Sequence, residues 1–409
     1  MPPVHLAPAV AIALTGLLSL AIAMGIGRFA FTPLLPMMLH DGVVDLRGAS
    51  TLATANYVGY WVGAMACALQ PTIWRRLRIA TPLAHTTAVR TGLVATVLLT
   101  LFMAAPVPAL WPLARFMAGL ASAFVFVFVT GWCLARLGAL GAASIAGLIY
   151  VGPGLGIAVS GLAASAMVAT GLQAATGWVL FTLLALALAV IAWPHLEGTV
   201  VPDDPPTGQA RPTGAALAAF TLAYGLAGFG YIVTATFLPV IARQVLPGSV
   251  WLDLFWPLFG LGVGLGALLT LRLSPHHDRR HLLMVCYGLQ ACGVVLGVWW
   301  PSLTGFALGS LLLGLPFTAI TLFAMQEVRR LRPQDASSFI GWLTATYGLG
   351  QIAGPPMVAW LLTHSPTTQQ SFNLSLQIAA AALVLGMVIF GVLAWRYPLV
   401  SARGAARAG

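Results

Sequence analysis

The second half of this chain repeats the hydrophobic and glycine pattern of its first half, and this repeat limits the possible folds more than any other feature. The segment Gly25-Ile26-Gly27-Arg28 recurs 203 positions later as Gly228-Phe229-Gly230-Tyr231. Glycines of the next segment keep that offset, with Gly59 and Gly63 matching Gly262 and Gly266. A later set recurs at an offset of 194, where Ser144, Gly147, Gly154 and Gly156 match Ser338, Gly341, Gly348 and Gly350. In a membrane chain such a repeat is typical of a carrier whose substrate lies between two pseudo-symmetric halves.

Composition places the chain in a lipid bilayer. Hydrophobic residues make up 59% of its 409 residues, charged residues make up only 7%, and the mean hydropathy is +0.94. A soluble protein of this length carries far more surface charge. Apolar runs of about 20 residues predict twelve transmembrane helices, which we call spans 1 to 12, at residues 9–35, 49–70, 86–105, 109–133, 142–168, 175–193, 214–242, 250–271, 281–300, 303–325, 338–363 and 373–395.

A polar, proline-rich break divides the twelve spans into two groups of six. It covers residues 194–213, and we predict that it forms a central cytoplasmic loop. The N-terminal six-helix half then covers residues 1–193, and the C-terminal half, with a short cytoplasmic tail, covers residues 214–409. The predicted fold is an all-α membrane protein, because a lipid-exposed backbone must satisfy its own hydrogen bonds.

The distribution of arginine predicts the orientation of the chain in the membrane. All nineteen basic residues are arginines, and fifteen of them fall in loops, tails or span ends on the side of the N-terminus. Only Arg47 and Arg243 fall on the opposite side. The positive-inside bias then predicts that both termini are cytoplasmic. The net charge of +10 is therefore a topology signal, and we do not expect nucleic acid as a partner.

Two arginines lie inside predicted spans, where a charged side chain is costly and points to function. They are Arg28, deep in span 1, and Arg115, about two turns into span 4. None of the nine acidic residues is predicted at mid-membrane, and all eight histidines fall in loops, tails or span ends. One interpretation is that each arginine locks helices together by donating to backbone carbonyls that nearby Gly and Pro leave free. The other is an anion site, since a guanidinium is a planar fork suited to carboxylate or phosphate.

A small set of polar and aromatic residues lies inside the spans, in pairs that share a helix face. The pairs are Asn56 and Tyr60 in span 2, Tyr224 and Tyr231 in span 7, and Tyr347 and Gln351 in span 11. Tyr231 also occupies the repeat position of Arg28. Each of these residues alone favours interhelical packing. Together with Arg28 and Arg115 they predict a ring across spans 1, 2, 4, 7 and 11 that contacts a substrate or a coupled ion.

These features resemble the major facilitator superfamily over essentially the whole chain. The segment Arg115-Phe116-Met117-Ala118-Gly119 is similar to the superfamily's Arg-containing motif in span 4, and Gly152-Pro153 resembles the glycine-proline motif of span 5 in many exporters. More specifically, residues 25–36 and 347–355 resemble the bacterial YbfB/YjiJ-type branch. One motif departs from the pattern, because the loop after span 2 lacks the usual Asp, whereas the loop after span 8 holds Asp278-Arg279-Arg280.

The resemblance implies a secondary transporter of a bacterial cytoplasmic (inner) membrane, whose two six-helix halves rock about a central site. It also implies a link between the Arg115 motif and energy coupling. The branch implies no particular substrate, so the prediction of the substrate rests on electrostatics. We expect the substrate, or one coupled species, to be anionic and held by Arg28 with support from Arg115. Protons are a candidate coupling ion.

Other functions fit the sequence less well. A membrane enzyme needs an acid–base pair, a metal cluster or an activated nucleophile, so we predict no enzyme activity, no metal and no cofactor. A P-loop ATPase is excluded, because the chain has no lysine to complete the loop. A channel or a transport-dead sensor on the same fold stays an alternative. The expected partners are a small-molecule substrate and the lipid bilayer, with the protein as a monomer.

Overall fold

The computed structural model of the protein describes residues 6–77, 84–198, 214–246, 251–273, 277–331 and 336–397. Helices make up most of these residues, and the predicted all-α fold with six spans in each half is confirmed. Nine of the helices in these ranges are long and apolar enough to cross a membrane. Large apolar side chains such as Leu98, Leu113 and Val190 are exposed on the outside of the bundle, as expected of a surface that contacts lipid chains.

Each predicted span corresponds to one helix or to consecutive helical segments. In the N-terminal half, span 1 comprises Leu6–Leu20, Ala21–Ile26 and Phe31–His40, and spans 2 to 4 are Leu46–Leu77, His85–Phe102 and Trp111–Ala139. Span 5 comprises the 3₁₀ helix Ala143–Tyr150 and the helix Val151–Ala169, and span 6 is Ala174–Ala192. In the C-terminal half, spans 7 to 9 are Gly214–Val245, Phe255–Thr270 and Arg279–Trp299, span 10 comprises Leu303–Gly314 and Phe317–Leu331, and spans 11 and 12 are Ala336–His364 and Thr368–Arg396. Most of the predicted central loop, residues 199–213, lies outside the described residues, as does the predicted tail from residue 398.

Helix packing repeats between the halves together with the sequence. Four glycines each lie against a backbone carbonyl of the neighbouring helix, in the pairs Gly59–Phe116, Gly63–Leu120, Gly262–Leu311 and Gly266–Leu315. Equivalent glycines of the two halves are 203 positions apart, and their partners are 195 positions apart. The contact between spans 2 and 4 therefore recurs between spans 8 and 10. Glycine permits this approach because it places no side chain between the two backbones. The prediction that these glycines are close-contact positions is confirmed.

We expect Gly63→Leu to lower the apparent unfolding temperature of the purified protein. A Cβ at Gly63 would lie 2.8 Å from the Leu120 carbonyl oxygen and 2.9 Å from the Ala123 Cβ, and overpacking of this kind costs about 1–3 kcal/mol. The matched control is Gly138→Leu in span 4, because a Cβ at Gly138 has no neighbour within 4 Å. If both variants unfold at the wild-type temperature, spans 2 and 4 are not packed as described.

Spans 1 and 10 are interrupted near the middle of the bundle, and proline contributes to both interruptions. In span 1, a π-helical turn covers Ala21–Ile26, and regular helix resumes only at Phe31. Pro33 has no N–H to donate to the Phe29 carbonyl, which accepts from the Thr32 N–H at 3.1 Å instead. In span 10, the interruption falls at Leu315 and Pro316. Segments of this type expose backbone groups, and at membrane depth such groups occur only where protein or a cavity covers them.

The two halves meet through spans 1 and 7, spans 2 and 11, and spans 5 and 8. The Thr32 hydroxyl donates to the Ala235 carbonyl at 2.8 Å, and these two residues occupy equivalent positions in the repeat. The pseudo-twofold axis therefore passes between them. The Tyr57 hydroxyl shares a hydrogen bond with Thr236 at 2.9 Å, which adds a second link between the halves at the same level.

Candidate functional site

The site lies where span 1 is interrupted, at the interface between the halves. Gly27 to Ala30 form the irregular turn between the π-helical segment and the second helix of span 1. Arg28 therefore projects from backbone that is not part of a regular helix. Its side chain is buried, with the residue only 3% exposed. Interruptions with π-helical character occur frequently at functional sites.

The Arg28 guanidinium binds across the interface to the C-terminal half. Its NH2 nitrogen donates to Gln351 Oε1 of span 11 at 2.5 Å. The Gln351 Nε2 in turn donates to the hydroxyl of Tyr231 in span 7 at 2.5 Å. The chain Arg28–Gln351–Tyr231 thus joins three spans and both halves. Tyr231 is the repeat counterpart of Arg28, so the two equivalent positions meet through one amide.

Aromatic rings of the N-terminal half surround the same guanidinium. The Arg28 Cζ lies 4.0 Å from the ring centroid of Tyr60 and 5.3 Å from those of Tyr57 and Phe29. A cation over an aromatic face is attracted by about 0.5–2 kcal/mol, depending on how dry the site is. The rings offset part of the cost of burying the charge, but they do not neutralise it.

No carboxylate within the described ranges forms an ion pair with Arg28 or Arg115. The Arg28 Nε is buried and has no hydrogen-bond partner in that part of the chain. A buried donor without a partner costs about 1–3 kcal/mol, and more when it is charged. The site therefore carries surplus positive charge together with unused donor capacity, which is a suitable arrangement for binding an anion.

Arg115 has a different position from Arg28. Its two terminal nitrogens donate to the backbone carbonyls of Gly27 and Arg28, at 3.2 and 3.1 Å, and these carbonyls belong to the interrupted turn of span 1. Its own carbonyl accepts from Asn56 Nδ2 at 2.9 Å. Arg115 and Asn56 thus connect spans 1, 2 and 4 and hold the turn that presents Arg28. This geometry matches the helix-locking interpretation for Arg115.

The remaining predicted residues form an aromatic cluster in the C-terminal half. Tyr347 stacks with Tyr231 at a centroid distance of 6.0 Å and packs against Tyr224 in a tilted arrangement at 4.9 Å. Phe317, the first residue after the interruption of span 10, contacts Tyr231 at 4.9 Å. The Tyr224 hydroxyl donates to Thr321 at 3.3 Å. The structure therefore gathers Arg28, Tyr60, Tyr231, Tyr347 and Gln351 directly, whereas Asn56, Arg115 and Tyr224 lie one contact further out.

Sequence reasoning missed Tyr57 and Phe317, which belong to the same cluster. Tyr57 precedes Tyr60 by three positions, so helical periodicity gives them one face, and that pattern was a usable signal. Phe317 follows Pro316 directly, and a proline inside an apolar span marks a discontinuity. No sequence pattern pointed to Thr236 and Thr321 as partners of tyrosine hydroxyls, because each pair joins different helices.

Burial differs on the two sides of the site. Toward the end of the bundle that holds Asp41, every residue from Phe29 to Met38 and from Tyr231 to Ala242 is buried. Toward the end that holds Leu6, Tyr60 and Tyr347 are half-buried. Tyr60 lies one helical turn closer to the Leu6 end than the buried Asn56, and Tyr347 lies one turn closer than the buried Gln351. The site is therefore closed at the Asp41 end and less completely buried toward the Leu6 end.

The charged part of the site has no counterpart in the second half. The repeat offsets place Tyr231 at the position of Arg28, Ser310 at that of Arg115 and Phe259 at that of Asn56. Gly119 contacts the Asn56 backbone, and Gly314 contacts the Phe259 backbone in the same way. The backbone packing is thus symmetric, whereas both arginines of the site belong to the N-terminal half.

A second buried charge cluster lies far from Arg28, at the Leu6 end of the C-terminal half. Glu327 is fully buried and binds Arg330 at 2.6 Å, with the Arg280 Nε 3.7 Å away. Arg280 also pairs with Asp278 at 2.7 Å. Burial alone would raise the pKa of the Asp278 carboxyl, but the hydrogen bonds from Arg280 hold that pKa below its usual value. This cluster is neutralised internally, in contrast to Arg28.

Comparison with known proteins gives a family match and a set of similar folds. The family model described as an uncharacterised MFS-type transporter, YbfB, matches residues 20–391. No curated protein sequence matches the chain significantly.

Among solved structures, two crystal structures of the nucleoside transporter NupG, one of them a point mutant, resemble this fold. The mutant has a TM-score of 0.73 at 15% identity and covers 94% of this chain and 99% of its own. The other has a TM-score of 0.69 at 14% identity, with coverages of 96% and 100%. The human organic anion transporter MFSD10 (TETRAN) has a TM-score of 0.63 at 16% identity, with coverages of 95% and 100%. At these identities the likeness shows the fold alone.

Proposed function

Because the chain belongs to the family of YbfB-type transporters in the major facilitator superfamily, we propose that it is a secondary active transporter for a small organic anion. The anion binds to Arg28 between the two halves and crosses a bacterial cytoplasmic membrane by alternating access. The protein is a multi-pass membrane protein, and we propose that it acts as a monomer.

The observation that carries this proposal is the uncompensated charge of Arg28. A buried cation without an acidic partner is costly, and within the described residues Arg28 contacts the neutral Gln351 amide and aromatic side chains. An anion would supply the missing charge and accept from the unused Nε. We infer that the Oε1 of Gln351 stands where one oxygen of the anion binds, because it accepts a hydrogen bond from the guanidinium.

Rocking of the halves is supported by the asymmetric burial around the site. Contacts such as Thr32–Ala235 and Tyr57–Thr236 close the Asp41 end, while the half-buried tyrosines border the other side. We propose that this arrangement is the state open toward the Leu6 end. In the opposite state the Thr32 and Tyr57 contacts break, and residues 1–193 and 214–409 move as two units joined by the loop 194–213.

We predict that the Leu6 end faces the cytoplasm, so that the described state is open inward. Reporter fusions after residue 205 and at the C-terminus should both report a cytoplasmic location, as the distribution of arginine requires. A fusion after Gly42, in the loop between spans 1 and 2, serves as the periplasmic control. A periplasmic signal from either of the first two fusions contradicts this topology.

Counterflow in vesicles tests the proposed function itself. Purified protein is reconstituted into liposomes that are loaded with an unlabelled anion, and uptake of the labelled anion is measured. A carrier shows a transient accumulation, whereas a channel or a transport-dead sensor shows none.

A pH gradient imposed across the same vesicles tests protons as the coupling ion, because net anion accumulation would then follow the direction of the gradient.

A further inference from the structure

The guanidinium groups that are free to contact a ligand limit the anion to one carboxylate, an inference that rests on the proposed function. Arg115 uses both terminal nitrogens on the carbonyls of Gly27 and Arg28. Within the described ranges the Nε atoms of both Arg28 and Arg115 lack a partner, but of the two it is Arg28 whose terminal nitrogen binds a neutral side chain, the Gln351 amide, that an anion could displace. Because the terminal nitrogens of Arg115 are held by backbone, one guanidinium remains to contact the anion, and a second carboxylate beside it would be buried without a cation in hydrogen-bond contact.

The surfaces next to Arg28 are aromatic in both halves. Tyr60 lies under the guanidinium at 4.0 Å, and Tyr347 stacks with Tyr231 across an interplanar angle of 23°. Tyr60 and Tyr347 are also half-buried, as is Phe317. Spans 2 and 11 meet beside them, since the Trp61 Nε1 donates to the Ala345 carbonyl at 3.0 Å. Two half-buried tyrosine rings therefore lie next to Arg28.

The hydroxyl groups of the cluster are largely occupied. Tyr57 shares its hydrogen bond with Thr236, Tyr224 donates to Thr321, and Tyr231 accepts from Gln351. A sugar or nucleoside needs several directional partners for its hydroxyls, and a site that leaves buried hydroxyls unpaired binds such a ligand poorly. Flat apolar ligands need no such partners and gain from offset stacking on aromatic faces.

We propose that the substrate is a planar aromatic monocarboxylate. Its carboxylate replaces the Gln351 Oε1 on Arg28 and also accepts from the Arg28 Nε, so that the guanidinium is bound in a bidentate manner. Its ring packs against the faces of Tyr60 and Tyr347. Displacement of Gln351 releases the link between Arg28 and Tyr231, and thereby removes one contact that joins the halves.

Matched probes separate the two parts of this proposal. Benzoate and 2-naphthoate are aromatic monoanions of two sizes, cyclohexanecarboxylate keeps the charge without the π-face, and benzamide keeps the ring without the charge. Phthalate adds a second charge. Binding of each probe to the purified full chain is measured by titration calorimetry and by the ligand-induced shift of the unfolding temperature.

We expect benzoate or 2-naphthoate to bind roughly tenfold more tightly than cyclohexanecarboxylate, the contribution of one or two ring contacts, and phthalate and benzamide to bind more weakly than benzoate. Equal affinity for benzoate and cyclohexanecarboxylate, or no binding of either aromatic acid, overturns the aromatic assignment. If acetate, lactate, succinate or phosphate then binds and shows counterflow, the proposed anion transport is supported and the aromatic assignment alone is wrong. Equal affinity for benzamide and benzoate overturns both proposals.

Variants of the two tyrosines provide the residue-level test. Tyr60→Leu and Tyr347→Leu should bring the ratio of benzoate to cyclohexanecarboxylate affinity close to one, whereas Tyr347→Phe should preserve it. A purely structural role would weaken both probes equally and leave the ratio unchanged. The control is Trp342→Leu on span 11, where the side chain is 68% exposed. An unchanged ratio in both leucine variants overturns the proposal.

Discussion

Replacing Arg28 by alanine is expected to abolish anion transport while the protein remains folded. Truncating one partner of a buried charge pair costs about 2–5 kcal/mol, which corresponds to a loss of affinity of roughly 30-fold or more. The apparent unfolding temperature without substrate should stay the same or rise, because the variant no longer buries an uncompensated charge. Counterflow and calorimetry at matched protein levels give the two readouts.

Two further arginine variants sharpen this test. Arg28→Lys keeps the charge but loses the planar fork, so binding should weaken by about tenfold, the equivalent of one charge-assisted hydrogen bond. Arg90→Ala is the matched control, since Arg90 contacts Trp193 at the periphery of the bundle and should leave affinity unchanged. Wild-type transport by Arg28→Ala would end the proposal that Arg28 binds the anion.

Arg115→Lys should act differently from Arg28→Lys. The lysine ammonium retains a donor for one of the two carbonyls that Arg115 holds, but it cannot present the same fork to both. We expect a lower unfolding temperature with only a small change in anion affinity per folded molecule. An affinity loss as large as that of Arg28→Lys would place Arg115 in contact with the anion.

Replacing Gln351 by glutamate is expected to block anion binding nearly as completely as removing Arg28. The change is isosteric, and it places a carboxylate where Gln351 Oε1 now accepts from Arg28 at 2.5 Å. At an effective dielectric constant of about 20, two unit charges 4 Å apart interact by about 4 kcal/mol. The introduced carboxylate therefore neutralises Arg28 and repels an incoming anion, and even half of this energy lowers the affinity roughly 30-fold.

Stability distinguishes this mechanism from simple damage to the fold. Gln351→Glu should unfold at the wild-type temperature or above it, because the new pair supplies the charge that Arg28 lacks. Gln370→Glu makes the same chemical change at an exposed position near the start of span 12 and should leave binding intact. Normal anion affinity in Gln351→Glu would show that the anion does not occupy the Gln351 position on Arg28.

Periodicity and repeats in the sequence were sufficient to predict the architecture. Twelve apolar segments gave the twelve spans, since a helix in lipid is defined by its length and by its internal hydrogen bonds. The offset of 203 identified Gly59 and Gly63 with Gly262 and Gly266, and the structure shows the same backbone contacts at both sites. Arg28 and Arg115 were also identifiable, because a charge within an apolar segment is visible without any tertiary information.

Only the tertiary structure distinguished the contacts of these two arginines. Both are single charges in apolar helices, and the sequence left the helix-locking and anion-binding interpretations open for each. The interruption of span 1 at residues 27–30 frees the carbonyls that Arg115 holds, while Arg28 reaches Gln351, 323 positions away. The periodicity of a helical segment indicates which face of the helix a side chain occupies. The partner of that side chain depends on how separate helices pack, which no local segment of the sequence specifies.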